Sequence, residues 1–330
     1  MNGLLLRLAL FMLLGVLPAC ASSAPSREAR PVVLPAPLGE AEMERARQAP
    51  IIRGDGTATT RSELLEACMS ADAVVIAERH GFGPGLAGAA ALWGDMLGKP
   101  GDFLNGAYRP ALALEFWERD HQIRLDDYLQ GVTDEAGLFT AMGWTGAAAS
   151  RAEQSFPPGH RAMVNAAKER GVPVIAANAP RRYVRLARTD GFDRLGKLTE
   201  GQQRLFRLPG RLIEGRYRDD FERIMGGDPA NPGHQAIYRS QQMWDWTMAE
   251  SVANAVDRGN RPVVLVVGAF HAEHDGGLLQ ALREIRPGTK VLTVSFLDST
   301  KTEVPIGGAG TTPGNVDRGP RADFVVDFAR

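Results

Sequence analysis

The chain has 330 residues, 39 acidic against 38 basic side chains, and a formal net charge of −1. Its length suits one large domain or two small ones, and its 44% apolar content is that of a globular protein. Balanced charge and the lack of a compact Lys/Arg run exclude an electrostatic footprint for nucleic acid, so no nucleic-acid partner is expected.

The first twenty residues, MNGLLLRLALFMLLGVLPAC, carry one positive charge at Arg7 and then an apolar stretch broken only by Gly15. That stretch is too short and too near the start to favour a permanent membrane span. It ends on Leu17, Ala19 and Cys20, a pattern that resembles a bacterial lipobox and implies cleavage before Cys20 with lipid on its thiol. The small residues of PACAS also suit a plain secretory cleavage. Each buried methylene of an acyl chain contributes about 0.8 kcal/mol, so a multiply acylated terminus stays on a membrane. Residues 1–19 are read as a lipoprotein signal peptide, and residues 20–45 as the lipid-anchored cysteine with a Pro/Ala-rich linker. The expected location is the bacterial cell envelope, lipid-anchored; Ala21 is compatible with the periplasm-facing outer membrane. With Cys20 acylated, Cys68 is the remaining thiol, so the core holds together without an internal disulfide. Within SELLEACMS, Cys68 reads as a small buried apolar residue.

From residue 46 to 330 the pattern predicts a single α/β domain. PIIRG suggests a short strand, and TRSELLEACMSA a helix capped by Thr60 or Ser62. AVVIAE follows as a strand and GLAGAAALWGDML as a helix. PALALEFWE is a second buried strand, DHQIRLDDYLQG a helix closed by Gly131, and VTDEAGLFTAMGWTGAAAS a stretch without clear periodicity. HRAMVNAAKERG forms a helix leading into the strand VPVIAAN. Residues 182–258 read as a helical insertion, whose last helix carries Ile237, Trp244, Met248 and Val252 as a core-facing stripe. PVVLVVGAFH is the most apolar strand, followed by the helix DGGLLQALREIR and the strand TKVLTVSF. A Gly/Pro-rich loop over 299–322 precedes the terminal strand DFVVDF; a loop that long is uncommon in a compact domain. Strands alternating with helices predict a largely parallel sheet flanked by helices on both faces.

Four of these strands place polar or ionisable side chains at their carboxyl ends. They are Glu78 and His80, then Glu115, then Asn178 with Arg181 and Arg182, then His271 with His274 nearby. At any one strand the group could simply open a solvated loop. Four together, on one edge of a parallel sheet, point to a shared crevice. Two histidines and two carboxylates would suit a divalent metal, or would supply a general base with an orienting carboxylate. Arg181 and Arg182 would suit a carboxylate or phosphate on a small-molecule ligand. The chain has no G-x-S-x-G elbow, P-loop or G-x-G-x-x-G after a strand. His121, His160 and His234 fall on or beside helices, away from the strand ends.

The blocks DAVVIAERHG, ALALEFWERDHQIRLDDYLQG, NAAKERGVPVIAANAPR, QQMWDWTMAESVANAV and VVLVVGAFHAEHDGG resemble, in that order, those of the ChaN-like family of haem-binding, iron-regulated bacterial lipoproteins. That family sits in a superfamily with erythromycin esterases and the Tiki/TraB proteins. The resemblance covers most of residues 50–298. The family's first block usually reads Gly-Glu-x-His with a further histidine a few residues on. Here Ala77 replaces the glycine, and GFGPGLAG holds no second histidine. The match carries over to Glu78, His80, Glu115, Asn178, Arg181 and His271. The resemblance implies a haem cofactor held through a tyrosine at a homodimer interface, with arginines pairing with its propionates. The chain's tyrosines are Tyr108, Tyr128, Tyr183, Tyr217 and Tyr238, and Tyr183, beside the two arginines, is the preferred ligand. Three functions follow: a membrane-tethered haem carrier of iron acquisition; an envelope esterase, amidase or metal-dependent protease using Glu78, His80, Glu115 and His271; or a structural lipoprotein needing neither site.

Overall fold

A computed structural model describes residues 38–98, 108–144, 156–228, 230–301 and 319–329. The signal peptide, Cys20, the linker as far as residue 37, and residues 302–318 of the Gly/Pro-rich loop lie outside them.

Eight strands form one sheet. They are β1 (Ile51–Arg53), β2 (Ala58–Thr59), β3 (Ala73–Glu78), β4 (Ala111–Glu118), β5 (Val174–Asn178), β6 (Val263–Gly268), β7 (Val291–Leu297) and β8 (Phe324–Asp327). Their order across the sheet is 2-1-8-7-3-6-4-5. The six from β8 to β5 are parallel, and β1 and β2 add an antiparallel edge. Thirteen helices among the described residues flank the sheet. None of the described helices is long and apolar enough to cross a membrane.

The β-branched runs of β3 and β6 are buried along their whole length, as expected of strands covered on both faces. The pleat divides β3 between two cores. Val74 and Ile76 join Trp93, Trp117 and Phe139 on one face; Ala73, Val75 and Ala77 join Trp246, Met248 and Val252 on the other. The chain passes from β3 to β4 and outward to β5, then returns to lay β6 between β3 and β4. That reversal of winding opens a crevice at the carboxyl ends of those strands.

Local signals set the helix ends. Thr60, not Ser62, caps the helix Arg61–Ser70, in a capping box with Glu63. The uncertain stretch after Gly131 holds a short helix, Glu135–Ala141, whose cap Asp134 accepts from the Gly137 amide at 2.7 Å. Five helices fill the expected insertion between β5 and β6, ending in the 26-residue helix Pro232–Asp257. Its stripe is broader than predicted. Met248 and Val252 are fully buried, while Ile237 and Trp244 are only partly so. The helix packs on the sheet through Tyr238 and Trp246 and on the insertion helix Arg181–Thr189 through Met243, so more than one of its sides is covered.

The helix Pro158–Arg170 lies against Gly83–Leu97. They meet most closely at Gly159, where a Cβ would stand 2.8 Å from Leu86 Cβ and 2.9 Å from its carbonyl oxygen. Gly159→Ala is therefore expected to push the helices apart and destabilise the fold by about 1–3 kcal/mol. Urea denaturation measures this; an unchanged midpoint would show that the close approach is not needed.

Candidate functional site

Glu78, the last residue of β3, is 3% exposed. Its Oε1 accepts from His80 Nδ1 at 3.0 Å and its Oε2 from His160 Nε2 at 2.6 Å. Burial on its own would raise the Glu78 carboxyl, but the two imidazoles outweigh it and bring it down to about 2. The hydrogen bond to Glu78 raises His80 despite partial burial. The His80 ring lies 4.8 Å from that of Phe116, which in turn lies 5.3 Å from His160.

Glu115 reaches the crevice through an irregularity in β4. From Leu114 to Glu118 the chain takes four steps while its β5 partners, Ala176 to Asn178, take two. The two extra residues lift Glu115 out of the ladder and re-aim it, as bulges do. Its Oε2 accepts the Gly268 amide at 2.5 Å. Gly268 separates the two carboxylate clusters: a Cβ there would lie 3.0 Å from His80 Nε2 and 3.3 Å from Glu115 Oε2.

His271 sits in the short helix Ala269–Ala272 directly after β6. Its Nδ1–H donates to Asp245 Oδ1 at 2.6 Å, and its Nε2 stands 3.5 Å from Glu115 Oε1. Asp245 Oδ2 accepts from the Tyr217 hydroxyl at 2.7 Å, and Gln241 Nε2 donates to Tyr217 at 2.9 Å. Burial works against a charge on His271, yet Asp245 and Glu115 push it up to about 10. Burial likewise pushes the Asp245 carboxyl up. The proton shared by this pair belongs on the imidazole, which has a carboxylate on either side. Burial opposes the charge on Glu115, and His271 still holds that carboxyl below its usual range.

Glu78, His80, Glu115 and His271 thus come together as the strand ends predicted. The other predicted residues do not join them. Asn178 uses its Oδ1 to accept the Ala179 amide at 2.8 Å, closing its own turn. Arg181 is 71% exposed and 3.7 Å from Glu118, and Arg182 pairs with Asp120 at 2.5 Å. Tyr183 is buried, 5.1 Å from the Phe206 ring with the Arg182 guanidinium over its face, because the insertion packs it inward. His274 adopts a left-handed backbone, with its Nδ1 3.3 Å from the Gly319 carbonyl and its amide on that of Arg321. It fastens the chain at 319–321. The four gathered residues do not include a group of three whose ligand atoms all lie within 4.8 Å of one another. Among the described residues, one group of three His, Cys, Asp or Glu side chains brings its ligand atoms within 4.8 Å of one another, namely Glu118, Asp120 and His121.

His160, Asp245, Tyr217 and Gln241 were not foreseen. One signal was visible: in QQMWDWTM a carboxylate interrupts an apolar stripe, and a buried carboxylate needs partners. The remaining tyrosines are committed elsewhere. Tyr108 donates to the Met96 carbonyl at 2.6 Å, Tyr128 to Asn165 Oδ1 at 2.7 Å, and Tyr238 to the Ile213 carbonyl.

Residues 64–282 match a family model described as haem-binding uptake, Tiki superfamily, ChaN. The chain belongs to the ChaN family. The matched span contains Glu78, His80, Glu115, His160, Asp245 and His271. Among solved structures, ChaN of Campylobacter jejuni, with cofacially bound haem, is similar at 14% identity and a TM-score of 0.60, covering 84% of this chain and 95% of that one. That likeness establishes a ChaN-like fold. A Bacillus cereus protein (12% identity, TM-score 0.42, 84% of this chain and 82% of that one) and the erythromycin esterase EreC in its open conformation (12%, 0.40, 82% and 76%) are more distant. No curated protein matches the sequence.

In this ChaN-family chain the charge on His271 links stability to alkaline pH. Its folded value stands above the ordinary 6.5, so the stabilisation is fully present below pH 6.5 and is lost as pH rises through about 10. Thermal melts across that window should fall more steeply for the wild type than for His271→Gln. Parallel curves would contradict the assignment.

Proposed function

We propose that this protein binds haem at the bacterial cell envelope, anchored through acylated Cys20 and serving haem-iron uptake. The observation that carries the reading is the family match over residues 64–282, joined by the lipobox-like ending LPAC. Haem needs a ligand for its iron and cations near its propionates. Arg181, exposed beside Glu118, suits a propionate. A tyrosinate ligand, in contrast, does not fit the chain as folded. Four hydroxyls are hydrogen-bonded within the fold, and Tyr183 is buried. A homodimer with haem between two copies belongs to the same proposal. Titrating haem into protein lacking residues 1–20 should give a saturable change in the visible spectrum at one haem per chain, unaffected by Tyr183→Phe. No saturable change at micromolar concentration would end this reading.

A second reading, an envelope hydrolase acting on an ester or amide, is favoured by one observation. Two imidazoles, each backed by a buried carboxylate, share the crevice: His80 beside the open side-chain position of Gly268, and His271 3.5 Å from Glu115. His80, with Nδ1 held by Glu78, has Nε2 left to take a proton from water. His271, held as a cation, would stabilise a developing oxyanion. The two differ in setting: the His80 side chain is half exposed, while His271 is buried between two carboxylates. The double change Glu78→Ala with His271→Ala should lower any ester or amide turnover by more than about 100-fold, the scale of general acid–base catalysis. An unchanged rate would remove these residues from the chemistry.

A further inference from the structure

A buried carboxylate is tolerated when its lone pairs are occupied, and Glu78 has an imidazole on each oxygen. The two donors are unlike. His80 follows two residues later and its side chain is 49% exposed; His160 comes from a helix 82 residues away and is fully buried. The second ring nitrogen of His160, Nδ1, is buried with no hydrogen-bond partner. Its proton is therefore assigned to Nε2, toward Glu78. An orphaned polar atom costs stability, and an apolar side chain would fill the same space without that cost. Packing alone does not account for a histidine here.

With Oε2 held by His160, the Glu78 carboxylate is fixed in rotation and turns Oε1 to His80. Accepting the Nδ1–H of His80 sets that ring's tautomer. The other nitrogen, Nε2, then carries the lone pair, on the side where Gly268 leaves room and Glu115 stands beyond. We propose that His160 is a positioning residue: its Nε2–H fixes one oxygen of Glu78, so that the other holds the Nδ1–H of His80 and His80 Nε2 faces the crevice. His160 is brought close to Glu78 by the tight helix approach at the neighbouring Gly159. The inference goes beyond haem binding and stands whichever ligand enters the crevice. The groups facing His80 are Glu78 at the end of β3, Glu115 and the Phe116 ring on β4, and His271 after β6.

The test is the tautomer of His80. Long-range proton–nitrogen NMR spectra of the full chain in detergent, labelled with 15N-histidine, resolve it, with His80→Ala assigning the signal. Above the pH at which His80 loses its charge, the wild type should show the Nδ1–H form. His160→Leu should move His80 to the Nε2–H form that free imidazole prefers. His160→Gln, whose amide still reaches Glu78, should restore Nδ1–H. Circular dichroism reports whether each variant folds. If the leucine variant does not, His160→Asn, polar but too short to reach, is read the same way. An Nε2–H tautomer in the wild type, or an unchanged Nδ1–H tautomer in a folded leucine or asparagine variant, would overturn the proposal.

Discussion

A carboxylate at the end of a strand buried on both faces must be given hydrogen-bond donors before the layers around it can close. Glu78 is that group, and it constrains three parts of the chain at once. The loop after β3 has to fold back so that His80 reaches Oε1. The helix Pro158–Arg170 has to come near enough for His160 to reach Oε2. Helix Gly83–Leu97 has to allow this, and it does so at the one place where its neighbour carries no side chain, Gly159. Removing either donor would leave part of an anion unpaired in a medium that screens charge poorly.

The second cluster follows the same logic with opposite sign. His271 is a buried cation because Asp245 and Glu115 flank it, and Tyr217 takes up the remaining oxygen of Asp245. These partners come from β4, from the long insertion helix and, for Tyr217, from the insertion helix Arg216–Met225, so the cluster joins the insertion to the sheet. The irregularity in β4 makes this possible, since a regular ladder would have kept Glu115 in register with β5. Between the two clusters, Gly268 gives its amide to Glu115 and its empty side-chain position to His80. The crevice therefore holds one imidazole with a nitrogen to spare and one held as a cation.

Membership of the ChaN family and the fate of the tyrosines pull in different directions. The family points to haem, while this chain has turned its phenols to internal work: bridging helices, holding Asp245, packing the insertion. A crevice with two polarised histidines is more than a passive carrier requires. That surplus keeps the hydrolytic reading alongside haem binding.

The α/β class, the order of the elements and the gathering of Glu78, His80, Glu115 and His271 could be read from the sequence. Apolar runs ending in charged residues locate strand ends, and alternation with helices makes those strands parallel, so their ends must share an edge. The helical insertion was legible for a similar reason, as periodicity is a local property. Asn178 and Arg182 were legible as residues near that edge but not in their partners, since each found a nearer group to bind: its own turn in one case, Asp120 in the other. Tyr183 and His274 were misjudged because proximity in sequence says nothing about which way a helix or turn faces. His160 gave no signal, and Asp245 showed only as a carboxylate within an apolar stripe, its partners unreadable. Each lies mid-chain on a helix whose period shows only that one face is covered. Which buried polar atom meets that face depends on strand order and helix approach, and tertiary packing alone decides those.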